Sequence, residues 1–345
     1  MREVQSTFQR YNLKNFYFLG AIIVVGIAIR LFYLPENIPV TVDSLKYFLY
    51  ASDFVASGNL PESVIILNNG WPIFLSFWFN VIPLNETMQL MELQRLLAII
   101  LSSLTAIPVY YLCKKFVEPK YAIFGSVLFV FDPRLILNSI AGVSESLYIL
   151  LGATSLILLL KNERRAVILS FILASFCTMV RGEGIFFFFA IVIIFFIKNK
   201  FSKNSFKTII PAVGIFFLIL IPILLNRIDV IGSDGIFMRA VAESGSCGIH
   251  LCNLVPEKVS ELMEIYSGNQ IERVITGIEF FSKFLIWIMI PNFLLFAPFG
   301  LFLFFKRYLK KENFVILFLL AMSIPALYAY SIPAQDTRYL YFLFP

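Results

Sequence analysis

Apolar residues in this chain are gathered into runs, and most of the runs have the length of a membrane span. Nine can be marked, at 16–34, 93–113, 121–137, 142–160, 166–181, 184–197, 208–226, 284–305 and 313–331. A helix needs about 20 such residues to cross about 30 Å of hydrocarbon. The run at 121–137 is interrupted by Asp132 and Arg134 and the one at 184–197 is short, so tilted, broken or partly surface-lying helices are expected there. The pattern predicts an all-α polytopic membrane protein, a bundle of about nine to ten transmembrane helices. Two long segments separate the runs, 36–92 and 227–283. In the first, Val42, Leu45, Phe48, Leu49 and Val55 recur at helical spacing, with Thr41 or Asp43 placed to cap the start and Gly58 to end it. Trp71 to Val81 forms a second apolar stretch with Pro72 in its opening turn. Neither is long enough to span, which predicts amphipathic helices lying on the membrane surface as a roof over the bundle.

Composition sharpens this picture. Of 345 residues 59% are hydrophobic and only 14% charged, against about 45–50% and about 25% in soluble domains, which excludes an ordinary soluble protein. The basic residues cluster in alternate connections, at Arg2, Arg10 and Lys14, at Lys114, Lys115 and Lys120, at Lys161, Arg164 and Arg165, at Lys198, Lys200, Lys203 and Lys207, and at Lys306, Arg307, Lys310 and Lys311. The positive-inside rule makes these cytoplasmic and reads the first run as an uncleaved signal anchor with the N-terminus inside. The net charge of +6 then divides into cytoplasmic connections with 17 basic and 4 acidic residues and a remainder with 11 and 18. The positive face suits anionic membrane lipids and speaks against nucleic acid as a partner. An integral protein of a prokaryotic plasma membrane, or of the endoplasmic reticulum, is expected. Residues 1–345 read as one transmembrane module with extracytoplasmic loops 36–92 and 227–283, and the apolar stretch ending at Pro345 suggests a chain that continues.

Chemistry is then expected at the outer helix ends, where Asp43, Asp53, Asp132, Arg134, Glu145, Arg181, Glu183, Asp336 and Arg338 fall. Ionisable groups near a membrane are costly and face a cavity or a partner. Asp43 shares a helix face with Lys46, Tyr47 and Tyr50, which suits a base taking a proton from a nucleophile, and its local position equally suits a first-turn cap. Glu145 opens a helix after Ser144 and can favour the positive helix end or join Asp43 in holding a divalent cation such as magnesium or manganese. Arg181 and Arg338 offer forks that match phosphate oxygens, or can pair with the adjacent acids Glu183 and Asp336.

These pieces, in this order, resemble the C-type (GT-C) glycosyltransferase superfamily, which includes protein O-mannosyltransferases and lipid A aminoarabinose transferases. The resemblance rests on Asp43-Ser44-Leu45-Lys46-Tyr47 with Ala51 and Gly58, on Gly70-Trp71-Pro72, on Pro133 through Ser144-Glu145, on Arg181-Gly182-Glu183-Gly184, and on Arg338-Tyr339 with Pro345. It implies an inverting transfer of a sugar from a polyprenyl-phosphate donor, such as a dolichyl phosphate, to an extracytoplasmic protein, lipid or glycan acceptor. By the same resemblance Asp43 is the general base, Glu145 the second acidic position, and Arg338 the grip on the lipid phosphate, with Arg181, Lys46 and Tyr47 as further substrate-binding positions. Ser44 stands where many relatives carry a second acid, which leaves metal dependence open.

Other signals are weaker. The single His250 argues against a zinc centre or a Ser-His-Asp triad. Cys247 and Cys252 can pair in the second outer segment or remain thiols, Asn85-Glu86-Thr87 is a glycosylation triplet, and Gly232, Gly235, Gly245 and Gly248 lack phosphate-loop spacing. Trp71, Trp78, Tyr47 and Tyr50 are placed to stack on a sugar or prenyl chain, or to pack. The rival functions are a secondary transporter or lipid-linked sugar flippase, for which repeats and broken helices would speak, and a structural membrane subunit.

Overall fold

The computed structural model describes residues 2–61, 68–82, 84, 86–161, 163–199, 201–231, 270–288, 302, 314–331 and 337–343. The secondary structure described is helical throughout: α1 (Arg2–Phe32), α2 (Asp43–Ser57), α3 (Gly70–Val81), α4 (Thr87–Leu104), α5 (Ala106–Cys113), α6 (Pro119–Val130), α7 (Pro133–Ile140), α8 (Glu145–Leu160), α9 (Arg164–Val180), α10 (Gly184–Asn199), α11 (Lys203–Ile231), α12 (Gln270–Ile288), α13 (Phe314–Ser331) and a 3₁₀ turn at Thr337–Leu343. Within these residues three helices are long and apolar enough to cross a membrane, Asn15–Phe32, Thr87–Cys113 and Lys203–Asp229, and a fourth if α6 and α7 form one span bent by 51°. The run at 284–305, the basic cluster at 306–311, Cys247, His250, Cys252, Asn85, Asp336 and the four loop glycines lie outside the described residues, apart from Phe284 to Ile288 and Phe302.

The bend between α6 and α7 follows from Asp132-Pro133. Proline has no N–H to continue the helix, and the Asp132 carboxylate accepts from Arg134 N at 2.8 Å and Leu135 N at 3.1 Å, starting a new helix. Arg134 donates to the carbonyls of Trp287 and Ile288 at the end of α12. Arg30 reaches the same region from α1, fully buried, with Nε donating to Ser139 Oγ at 3.0 Å and Nη2 to Ser102 Oγ at 3.3 Å. Asp132 and Arg134 therefore both serve this joint.

α8 lies at the centre, packed on α4 and α5 to one side and α9 to the other. Ser155 and Ser170 tie α8 to α9 by reciprocal hydroxyl-to-carbonyl bonds of 2.8 Å, the short polar contact that lets helices approach in an apolar interior. α9 carries α11 and α10, α10 carries α13, and α13 carries α12 and the 3₁₀ turn, which also packs on α8.

The first outer segment departs from expectation. The N-cap of α2 is Val42, at φ 51°, with no side-chain cap, so neither Thr41 nor Asp43 plays that part, while Gly58 does end the helix at φ 72°. α3 packs against α2 and α9 with Gly70, Trp71, Pro72, Leu75, Ser76 and Phe79 buried, while Phe77 and Val81 are exposed. A Cβ on Gly70 would stand 2.6 Å from the backbone of Met179 and Val180, which measures how closely α3 meets the end of α9.

Candidate active site

Asp43 and Glu145 are far apart in sequence and are brought together by neutral groups around the turn before α8. Gly142 bends that turn at φ 74°, a conformation that favours glycine. Its carbonyl accepts from Trp71 Nε1 at 3.2 Å and from Gln94 Nε2 at 2.8 Å. The Gln94 amide also donates to Ser44 O at 3.0 Å, and Ser44 Oγ donates to Ala141 O at 2.5 Å. Behind it, Arg95 holds the approach to α2, donating to Ile38 O at 2.7 Å and Pro39 O at 3.1 Å. Four elements, α2, α3, α4 and the turn, are thus clamped by side-chain-to-backbone bonds, and the first residues of α2 and α8 face each other.

Onto this frame the charged residues form a chain of ion pairs. Arg338 Nη1 lies 2.9 Å from Asp43 Oδ2 and 3.8 Å from Glu145 Oε1. Arg181 Nη1 lies 2.6 Å from the same Glu145 oxygen, and its Nη2 and Nε reach Glu183 at 3.0 and 3.3 Å. The Arg181-Gly182-Glu183 turn is fixed from below, Gly182 N donating to Asn68 Oδ1 at 2.9 Å. Exposure differs along the chain: the Glu145 side chain is 3% exposed, whereas Asp43 and Arg338 are 34% and 33% exposed. The inner pair is structural in its surroundings and the outer pair is open to exchange with a ligand.

Beside them opens a cleft with about 20 Å³ of enclosed space. Glu145, Arg181, Glu183 and Arg338 form its polar rim, and Ile149, Met322, Pro325, Ala326 and Phe342 its apolar wall. Tyr47 contributes from α2, its hydroxyl 3.5 Å from Ser144 Oγ. Burial pushes the Tyr47 phenol up, the Glu145 charge adds to this, and the group remains a neutral donor.

Of the expected site residues, Asp43, Glu145, Arg181, Arg338 and Tyr47 are neighbours, and Lys46 is exposed. Trp71 and Tyr50 are buried, with 0% and 3% exposure, so they pack and do not stack on a ligand. Cys113 and Cys177 are free thiols. Gln94, Gly142 and Tyr148 were not singled out from the sequence, and the bond of Ser44 to the Ala141 carbonyl was not foreseen. Among the described residues no three carboxylate, imidazole or thiol groups converge, and Arg338 contacts both Asp43 and Glu145.

No protein-family model matches the chain, and no curated protein matches it. Solved structures do. An oligosaccharyltransferase of Archaeoglobus fulgidus in its apo form matches with a TM-score of 0.58 at 12% identity over 95% of this chain and 49% of its own. The chain therefore shares the fold of about half of that protein. The same source's enzyme solved with zinc and sulfate matches at 0.59 with 14% identity, over 94% of this chain and 47% of its own. Archaeal oligosaccharyltransferase AglB, in complex with an inhibitory peptide and a dolichol-phosphate, matches at 0.58 with 13% identity, over 94% and 50%. The chain spans about half the length of these oligosaccharyltransferases. At such identities the likeness is one of fold.

Proposed function

We propose that this chain is a membrane glycosyltransferase module that moves a sugar from a polyprenyl-phosphate donor to an extracytoplasmic acceptor with inversion, Asp43 being the general base. The observation that carries this reading is Arg338 bridging Asp43 and Glu145 at the mouth of a cleft with an apolar wall. An amphiphile with an anionic head matches such a cleft, the head at the arginine and the chain along Met322, Pro325 and Phe342. The fold shared with oligosaccharyltransferases supports the same class of reaction.

In this mechanism the donor phosphate draws Arg338 from Asp43 and frees its carboxylate. Asp43 accepts the proton of the acceptor hydroxyl or amide as that group attacks the anomeric carbon. The bond from the anomeric carbon to the phosphate oxygen breaks with its electron pair going to the polyprenyl phosphate. Arg338, now beside that phosphate, stabilises the charge that builds there. Glu145, anchored by Arg181, sets the position to which Arg338 returns. A divalent cation, present as zinc in one of the similar structures, would supply Lewis-acid stabilisation of the same phosphate if bound. No residue role above depends on it.

The test is sugar transfer by the full chain in membranes supplied with a polyprenyl-phosphate sugar. Asp43→Asn is expected to lower transfer by about 10²–10⁴-fold, the usual weight of a general base. Unchanged transfer would refute the base assignment. The bent α6–α7 pair with buried Arg30 favours a transporter or flippase as second reading. That reading predicts movement of the lipid-linked sugar across the bilayer with no transfer to any acceptor.

A further inference from the structure

Two side chains on the cleft wall carry polar atoms with nothing to bind. Glu145 and Tyr148 are three residues apart on α8 and therefore share a face. Both line the cleft and both are buried, at 2% and 4% exposure. Glu145 Oε1 is occupied by Arg181, but Glu145 Oε2 has no hydrogen-bond partner, and neither has the Tyr148 hydroxyl. The Tyr148 ring cannot easily swing to find one: Phe342 packs on it with centroids 4.4 Å apart, and the Arg181 guanidinium carbon lies 5.9 Å from it. Buried polar atoms are almost always paired in folded proteins, so two orphans on one wall ask for a ligand group.

Their chemistry limits what that group is. An ionised carboxylate only accepts, while a phenol hydroxyl donates and accepts. An oxygen of a phosphate or carboxylate anion has no proton to give Glu145 Oε2, and an ammonium group would be opposed by Arg181 and Arg338. A neutral hydroxyl donates to Glu145 Oε2 and accepts from Tyr148. Building on the glycosyl-transfer reading above, we propose that Glu145 and Tyr148 form a subsite for one hydroxyl of the transferred sugar, which makes Tyr148 a specificity-determining residue. Arg338, 3.8 Å from Glu145, covers the approach, and its move to the donor phosphate opens it.

The test compares wild type and Tyr148→Phe, as full chains in membranes, on a polyprenyl-phosphate hexose and its monodeoxy analogues. Tyr148→Phe is expected to raise KM for the parent donor about 10–100-fold, the scale of losing one buried hydrogen bond. One monodeoxy analogue should be used equally by both proteins. Thermal unfolding should be unchanged or raised, because the hydroxyl has no partner within the fold. Equal losses on every donor, no loss on any, or a lower Tm would overturn the subsite while leaving glycosyl transfer standing. Failure of wild type with every donor would instead overturn the transfer reading, and the subsite with it.

Discussion

Arg338 is the residue on which the site turns, since it alone touches both Asp43 and Glu145. Arg338→Lys keeps the charge but loses the fork, so it should bind phosphate more weakly and transfer at a rate between wild type and Arg338→Ala, as initial-rate assays would show. Tyr47 offers a pH signature. Its folded-state pKa is raised above the ordinary value of about 10, so its stabilising contribution is complete below that value and is lost as pH rises through the folded-state pKa. Wild type should therefore lose more thermal stability than Tyr47→Phe as pH rises above the ordinary value of about 10. Equal loss in melting curves would assign the alkaline limb elsewhere. The charged members of the site were legible in the sequence because ionisable residues stand out among apolar runs. Gln94, Gly142 and the bond made by Ser44 were not: they involve single neutral residues whose partners are backbone carbonyls, and no periodicity marks them. Tyr148 is hidden within an apolar run for the same reason.

At the scale of elements, the positions of α1, α8, α10, α11 and α13 follow the apolar runs closely, because runs of this length have few other structures open to them. α3 buries Trp71, Leu75 and Phe79 and leaves Phe77 and Val81 exposed, and its packing against α9 brings Trp71 to the Gly142 carbonyl. Gly70→Ala should force α3 away from Met179 and Val180 and lower stability by about 1–3 kcal/mol, the usual cost of overpacking, which thermal unfolding in detergent would measure. Gln94→Leu removes the amide shared by Ser44 O and Gly142 O. It should reduce transfer more than it reduces stability, because the clamp sets the spacing of Asp43 and Glu145. Comparing initial rates with melting temperatures separates the two.

Across the whole molecule, the fold gathers Asp43, Glu145 and Glu183 with Arg181 and Arg338 in one chain of ion pairs. Asp43 and Arg338 are 295 positions apart. Every helix between them has to take its place before the two can meet. A nascent chain released as far as α12 holds the acid and lacks the cation that bridges it to Glu145. The ion-pair chain thus forms only once the last described turn of the protein is in place.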